Sequence, residues 1–140
     1  MPFPDVRSAS LQGRLLSGLR PLTHGIFVND INIQINSPSI AESFSAGGYD
    51  TAYIGKWHVD GLDRSNYITP QRRLGFDYWK VLECTHDYNQ SPYYAGDSGE
   101  KLEWDGYDAI AQTQDAESYI RSHPGKINRV NLAIALFPAS

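Results

Sequence analysis

The clearest pattern of apolar and polar positions lies in residues 39–57. Ile40, Ala41 and Phe44 fall at i, i+1 and i+4, one face of a helix. Ser39-Ile40-Ala41-Glu42 places a capping box in front of that face, with Ser39 as N-cap and Glu42 three residues on. Gly47-Gly48 then offers the left-handed residue at which helices stop. Residues 51–57 follow as a strand, since Tyr53 and Ile54 favour extended backbone. A second helix is predicted over 112–122, with Ala116, Tyr119 and Ile120 as its stripe and Pro124-Gly125 as its end. The apolar run 131–137 reads as a short buried strand. Between these units, residues 67–106 hold Tyr78, Trp79, Tyr88, Tyr93, Tyr94 and Trp104, broken by Gly96-Asp97-Ser98-Gly99. This stretch is predicted to be mostly loop with short elements, and loops of that length are usually functional. The order helix, strand, long loop, helix, strand predicts an α/β layered fold with a mainly parallel sheet.

Composition narrows the classes. The chain has 140 residues, 41% hydrophobic and 20% charged, as a single globular unit would. Its net charge is -4, and Arg72-Arg73 is its one adjacent basic pair, so no nucleic-acid partner is expected. The single cysteine, Cys84, excludes an intrachain disulfide and argues against a thiolate zinc site. A nucleophilic role would need a nearby base, and His86 is two residues away; a buried, inert thiol is the favoured reading. No run is long and apolar enough to span a membrane. Met1-Pro2-Phe3-Pro4-Asp5 lacks a signal-peptide pattern, and localisation is left open.

The chemistry-bearing residues concentrate at the end of the strand predicted over 51–57. In extended backbone Lys56 and His58 share a face and Trp57 takes the other. Open α/β sheets bind ligands beyond the carboxyl ends of their strands. A lysine and a titratable imidazole there suit an anionic substrate, the lysine holding charge and the histidine moving a proton. A surface lysine beside a strand-capping histidine satisfies the same spacing, and on spacing alone this plainer reading leads. Asp60 and Asp63 resemble a carboxylate pair but are expected to be solvated loop residues. Residues 83–89, including His86, with Tyr93 and Tyr94, can line a substrate cleft; aromatics packed under the sheet are the favoured alternative.

Tyr49-Asp50-Thr51-Ala52-Tyr53-Ile54-Gly55-Lys56-Trp57-His58 resembles the second signature of the sulfatase family, the G-Y-x-T-x-x-x-G-K-W-H block. Leu15-Leu16-Ser17-Gly18-Leu19-Arg20-Pro21 with His24-Gly25 is similar to the end of the family's first signature, and Gly75-Phe76-Asp77 to a segment that follows in its members. The resemblance is best over residues 15–123, and the ends, 1–14 and 127–140, are atypical. It implies a partial alkaline-phosphatase-like α/β/α sandwich: an incomplete catalytic domain over 1–140 whose intact form hydrolyses sulfate esters or sulfated glycans. It further implies a formylglycine nucleophile made from Cys or Ser at a helix start, where free N–H groups hold anions. Calcium in the intact family would polarise the sulfate. By the same resemblance Lys56 contacts the sulfate and nucleophile, His58 contacts the formylglycine hydrate, and the family usually works outside the cytoplasm.

The nucleophile position falls at Ser8, in Ser8-Ala9-Ser10-Leu11-Gln12. Ser10 stands where the family motif has Pro and Gln12 where it has Arg, the residues that maturation reads. An unmodified Ser8 is therefore expected, together with no calcium site on this chain and no turnover by the chain alone. A truncated or frame-disrupted gene would give well-matched middle and atypical ends. Two other readings stay open: a non-catalytic remnant that binds sulfated glycans, and a phosphate or phosphonate ester hydrolase of the same superfamily.

Overall fold

The computed structural model describes residues 8–123 and 132–136, and among these it has four α-helices, five strands and one short 3₁₀ helix at Pro70–Arg72. In chain order the α-helices and strands are α1 (Ser8–Ser17), α2 (Pro21–His24), α3 (Ile40–Ala46), β1 (Thr51–Lys56), β2 (Tyr78–Leu82), β3 (Pro92–Ala95), β4 (Lys101–Glu103), α4 (Asp108–Ser122) and β5 (Leu132–Leu136). The strands form one sheet in the order β4-β3-β2-β1-β5. β1 pairs in parallel with both β2 and β5, setting Tyr53 opposite Trp79 and Ile134. β2, β1 and β5 thus form the parallel part of the predicted sheet. β3 and β4 extend it as an antiparallel hairpin, which the pattern of residues 67–106 did not announce.

The unit of residues 39–57 forms as its pattern predicts. The Ser39 hydroxyl accepts from the Glu42 amide at 3.0 Å, and the Ser39 amide donates to Glu42 Oε2 at 2.8 Å. Such a cap stabilises a helix by about 0.5–2 kcal/mol. Ala41 is fully buried, while Ile40 packs partly buried against the core. Gly75 has φ +84°, and a Cβ there would lie 2.6 Å from Glu42 Cγ, so this glycine lets the turn before β2 pass close to α3.

Alternation along β1 and β2 divides the core. Tyr53 and Trp57, with Trp79 and Phe76, point to the face covered by α1 and α3, where Ala9, Leu16, Ile26, Ile33 and Ala41 join them. The rings meet edge to face: Tyr53–Trp57 centroids are 4.8 Å apart and Trp57–Trp79 4.9 Å. Each such pair contributes about 0.5–1.5 kcal/mol beyond its buried area. On the opposite face, Tyr78 meets Tyr119 of α4 at 4.6 Å, and Lys80 pairs with Asp115. The result is an α/β/α layering.

α4 begins four residues before the predicted 112, and its buried stripe is Asp108, Gln112 and Tyr119. Ile120, expected on that stripe, is exposed, because it sits a further 100° round the helix from Tyr119. The predicted stop at Pro124-Gly125 lies outside the described residues. β5 occupies the predicted strand, whose ends at 131 and 137 are likewise outside them.

Candidate functional site

β1 ends at Lys56, and the chain turns sharply afterwards. Trp57 is wholly buried on the α1 side, as alternation requires. His58, however, has φ +60°, so it leaves the strand in the left-handed region rather than continuing the extended run. The i, i+2 argument therefore does not apply to the Lys56–His58 pair. What brings them together is the carboxyl end of the sheet. The Trp57 and His58 amides donate to the Leu82 and Glu83 carbonyls at 2.9 Å each, carrying the β1–β2 ladder past both strands.

His58 is buried, with only 2% of its surface exposed. Burial first, and the Lys56 charge second, pull its pKa down to about 4. Asp30 partly opposes this, while Arg64 and His86 add to it. A neutral imidazole beside an ammonium group gives this corner a positive charge and a ring that can donate or accept a hydrogen bond. Asp30 and Arg64 form an exposed bidentate pair at its rim, with contacts of 2.6 and 2.9 Å. The Arg64 hydrogen bond holds the Asp30 carboxyl below the usual carboxylate range.

The Lys56 stem takes the α4 face. It lines a small cavity of about 10 Å³ with Gly55, Thr85, Ser91, Asp108 and Gln112. That is room for one water and not for a sulfate ester. α1 lies on the other face and reaches this strand end through the backbone: Gln12 Nε2 donates to the Lys56 carbonyl at 2.9 Å, and the Tyr53 hydroxyl donates to it at 2.7 Å. Gln12 thus acts as a neutral brace on the strand that ends in Lys56. Ser8 opens α1, one turn before Gln12; its side chain lies outside the described residues.

His86 is exposed after β2, with Nδ1 3.4 Å from the Tyr88 hydroxyl, and its charge is felt by His58. Cys84 is buried, in keeping with an inert thiol. Tyr93 stacks on Trp104 at 4.0 Å, and the Tyr94 hydroxyl donates to the Ser65 carbonyl, so the aromatics pack on one another.

Asp60 and Asp63 do not behave alike. Asp63 is exposed and accepts from the Ser65 amide, as a solvated turn residue. Asp60 is buried and pairs with Arg72 at 2.8 Å, contrary to the expectation that both are solvated. The turn after His58 folds inward, and Gly61 permits it: φ is +71°, and a Cβ there would fall 2.2 Å from the Asn32 amide nitrogen. Glu83, just past β2, completes this layer and was not singled out by sequence reasoning. Sequence reasoning reached it only within the polar run 83–89, because β2 was not predicted. Arg72 and Arg73, adjacent in sequence, are both committed to internal partners: Arg73 donates to the Ile68 and Gly96 carbonyls, the Tyr67 hydroxyl and Asp97.

Among the described residues no three His, Cys, Asp or Glu side chains converge as metal ligands. Calcium takes six to eight oxygens at about 2.3–2.6 Å. No carboxylate cluster of that kind occurs among the described residues. No helix among the described residues is long and apolar enough to cross a membrane.

The sulfatase family model matches residues 8–127. An ulvan-active sulfatase of Formosa agariphila is 50% identical over 106 residues, covering 76% of this chain and 21% of that protein. The chain thus spans about a fifth of that relative's length. The solved sulfatase YidJ of Bacteroides fragilis superimposes with TM-score 0.84 at 18% identity, covering 96% of this chain and 34% of that one. A structure in complex with its substrate, D-glucosamine-2-N,6-O-disulfate, superimposes with TM-score 0.72 at 22% identity, covering 94% and 25%. The solved neighbours share the fold, and the family match and the 50% identity carry the assignment: this chain belongs to the sulfatase family.

Proposed function

We propose that this chain carries the anion-holding edge of a sulfuric ester hydrolase site, with Lys56 attracting the sulfate and His58 hydrogen-bonding the group that attacks it. The observation that carries this is the meeting of Lys56 and buried His58 at the carboxyl end of β1, where open α/β sheets bind their ligands. The lysine ammonium supplies the charge. The imidazole, neutral above about pH 4, adds direction without adding repulsion. His86, at the rim, would touch the rest of the substrate. The relative named for ulvan and the neighbour holding a disulfated glucosamine favour a sulfated sugar as the substrate class.

By this reading the chain alone does not turn over. Gln12 braces the Lys56 carbonyl as a neutral amide and brings no charge to hold a nucleophile. Ser8 stays a serine, and the described residues gather no calcium ligands. The Gln12 brace favours a second reading as well: a remnant that binds sulfated glycans without cleaving them.

Two measurements on the full chain test this. An aryl sulfate with calcium present should show no turnover above background; turnover that vanishes in Lys56→Ala would overturn the inactive reading. Inorganic sulfate and a sulfated oligosaccharide should perturb the NMR signals of Lys56 and His58, and Lys56→Ala should weaken that response at least tenfold, the loss of about one charge-assisted contact. No perturbation by either anion would remove the anion-holding role.

A further inference from the structure

The rim beside Lys56 and His58 holds an ion pair that the function above does not use. Arg64 Nε and Nη2 donate to the two carboxylate oxygens of Asp30, at 2.9 and 2.6 Å. Two parallel N–H groups on two oxygens is how a guanidinium grips a carboxylate or a phosphate-like oxyanion. The backbone places both partners. The Arg64 carbonyl accepts from the Cys84 amide at 3.0 Å, and the carbonyl of that same peptide unit, Glu83, accepts from the His58 amide at 2.9 Å. His58 and Arg64 therefore flank one peptide unit, with backbones two strand spacings apart, about 10 Å. The chain after Asp30 runs along the turn that follows His58: the Ile33 amide donates to the Val59 carbonyl and Asn32 Nδ2 to the Asp60 carbonyl, both at 2.9 Å.

Asp30 has φ +63°, and His58, beside it at the rim, has φ +60°. Left-handed non-glycine residues persist where their surroundings dictate them, commonly at ligand sites. The Arg64 hydrogen bond is what chiefly holds the Asp30 carboxyl low, and the His58 and Lys56 charges act on it in the same direction. A carboxylate thus sits where the cations of the rim converge. Its grip is easily opened. The two side chains are 52% and 46% exposed, and water solvates the separated partners nearly as well as they solvate each other. Arg72 and Arg73, by contrast, are committed to partners inside the fold. Of these three arginines, Arg64 is the one an incoming anion can take from its carboxylate.

We propose that Arg64 is a specificity-determining residue: it grips a second anionic group of the sugar whose sulfate Lys56 holds, and Asp30 occupies that seat until the sugar arrives. The substrate class is then a short oligosaccharide with two anionic groups, a sulfate at Lys56 and a second sulfate or a carboxylate at Arg64. A doubly charged sugar exchanges the Asp30 carboxylate for its own anion. A singly charged one cannot displace Asp30, leaves the pair closed and gains nothing from Arg64. Discrimination is the difference between those two bound states. The inference rests on the sulfate-holding role proposed for Lys56 and adds a second contact to it.

The experiment is an NMR titration of the full chain with inorganic sulfate and three disaccharides. One carries a single sulfate, one carries two sulfates, and one carries a sulfate and a uronate carboxylate. In the wild type the doubly charged sugars should bind about tenfold more tightly than the singly charged one, the worth of one charge-assisted bidentate contact. They alone should shift the Arg64 side-chain N–H signals. A gain for either supports the second seat, and the larger gain names the group that fills it. Arg64→Gln should bring all three sugars to similar affinity without weakening the singly charged one. Arg64→Lys should keep part of the preference, since it keeps the charge and loses the fork. Asp30→Asn tolerates the positive φ, removes the resident carboxylate and should tighten the doubly charged sugars. Failure of the Lys56 role shows separately, as no response of Lys56 and His58 to inorganic sulfate, and it takes this proposal with it. With that response intact, the proposal is overturned by equal wild-type affinity for all three sugars, by a preference that survives Arg64→Gln, by an equal loss for all three in that variant, or by no tightening in Asp30→Asn.

Discussion

In the parallel half of the sheet, β1 is buried along nearly its whole length; its Tyr53 meets Phe76 edge to face, and Trp57, just past its end, meets Trp79 likewise. In the antiparallel half, β3 and β4 are four and three residues long, and most of their side chains are half-buried or exposed. That half is fastened by discrete contacts: Arg73 reaching the Gly96 carbonyl and Asp97, and Tyr93 stacked on Trp104. The parallel half is stabilised by area and the hairpin by a few fixings, each of which matters. The candidate site sits on the first half, at the end of its most buried strand, where its geometry is set by the core.

The comparison breaks first at Trp57. It is wholly buried among Tyr53, Phe76 and Trp79. Trp57→Ala should cost about 3–5 kcal/mol, enough to unfold a domain of this size. Loss of a cooperative denaturant transition would be the expected outcome. A transition within 1 kcal/mol of wild type, allowing for about 10–15% extrapolation error, would mean that the aromatic cluster is not the anchor.

Arg73 is the corresponding weak point of the hairpin. Its guanidinium is 3% exposed and lies 4.9 Å from the Trp79 ring. Arg73→Ala leaves the Ile68 and Gly96 carbonyls without their donor and should cost about 3 kcal/mol. Arg73→Lys should recover only part, since one ammonium cannot span the same fork of partners. The loss should be local: amide exchange should quicken in β3 and β4 before β1 responds. Equal acceleration in all strands would show that the two halves are one cooperative unit.

The same contrast explains what was legible beforehand. The capping box, the Gly-Gly stop and β1 are written in neighbouring residues, so the helix and strand of residues 39–57 could be read directly. The hairpin could not, because its strands are short and Arg73 ties it from more than twenty positions away, through Gly96 and Asp97. The site divides likewise. Lys56 and His58 stand two positions apart in the chain, so a sequence reading could single them out. The left-handed turn at His58, the burial of Asp60 and the place of Glu83 depend on Arg72 and on β2, which no local pattern supplies.

The pH response of stability separates the two titrating groups of the site. His58 has its pKa lowered from 6.5 to about 4, so the unfolded chain takes up that proton first. Its contribution is complete above about 6.5 and is lost as pH falls towards 4. Glu83 has its pKa raised from 4.5 to about 7, so its contribution is complete below about 4.5 and is lost as pH rises towards 7. Between pH 5 and 6.5 the two slopes oppose, each up to about tenfold per unit in the folding constant. Wild-type stability should therefore change little across that window. His58→Asn, which tolerates positive φ, should lose stability as pH rises, and Glu83→Gln should gain it. Two flat variants in denaturation series at pH 5, 6 and 7 would show that neither group is linked to folding.

The smallest effect should come from the most conspicuous ion pair. Arg64 grips Asp30 with two hydrogen bonds of 2.6 and 2.9 Å, geometry as good as any contact Arg73 makes. Yet both side chains are about half exposed, at 52% and 46%. Water solvates the separated partners nearly as well as they solvate each other, and holding two long side chains in one geometry costs rotamer entropy. Arg64→Ala should therefore cost only about 0.2–1 kcal/mol, and less at high salt, where the Debye length falls to about 3 Å at 1 M. The measurement is denaturant unfolding at low and high salt beside Arg73→Ala, whose larger loss should persist because Arg73 itself is buried. A cost for Arg64→Ala that rivals Arg73→Ala and survives 1 M salt would mean that the rim pair is structural, and that the end of β1 depends on a surface contact as much as on the core beneath it.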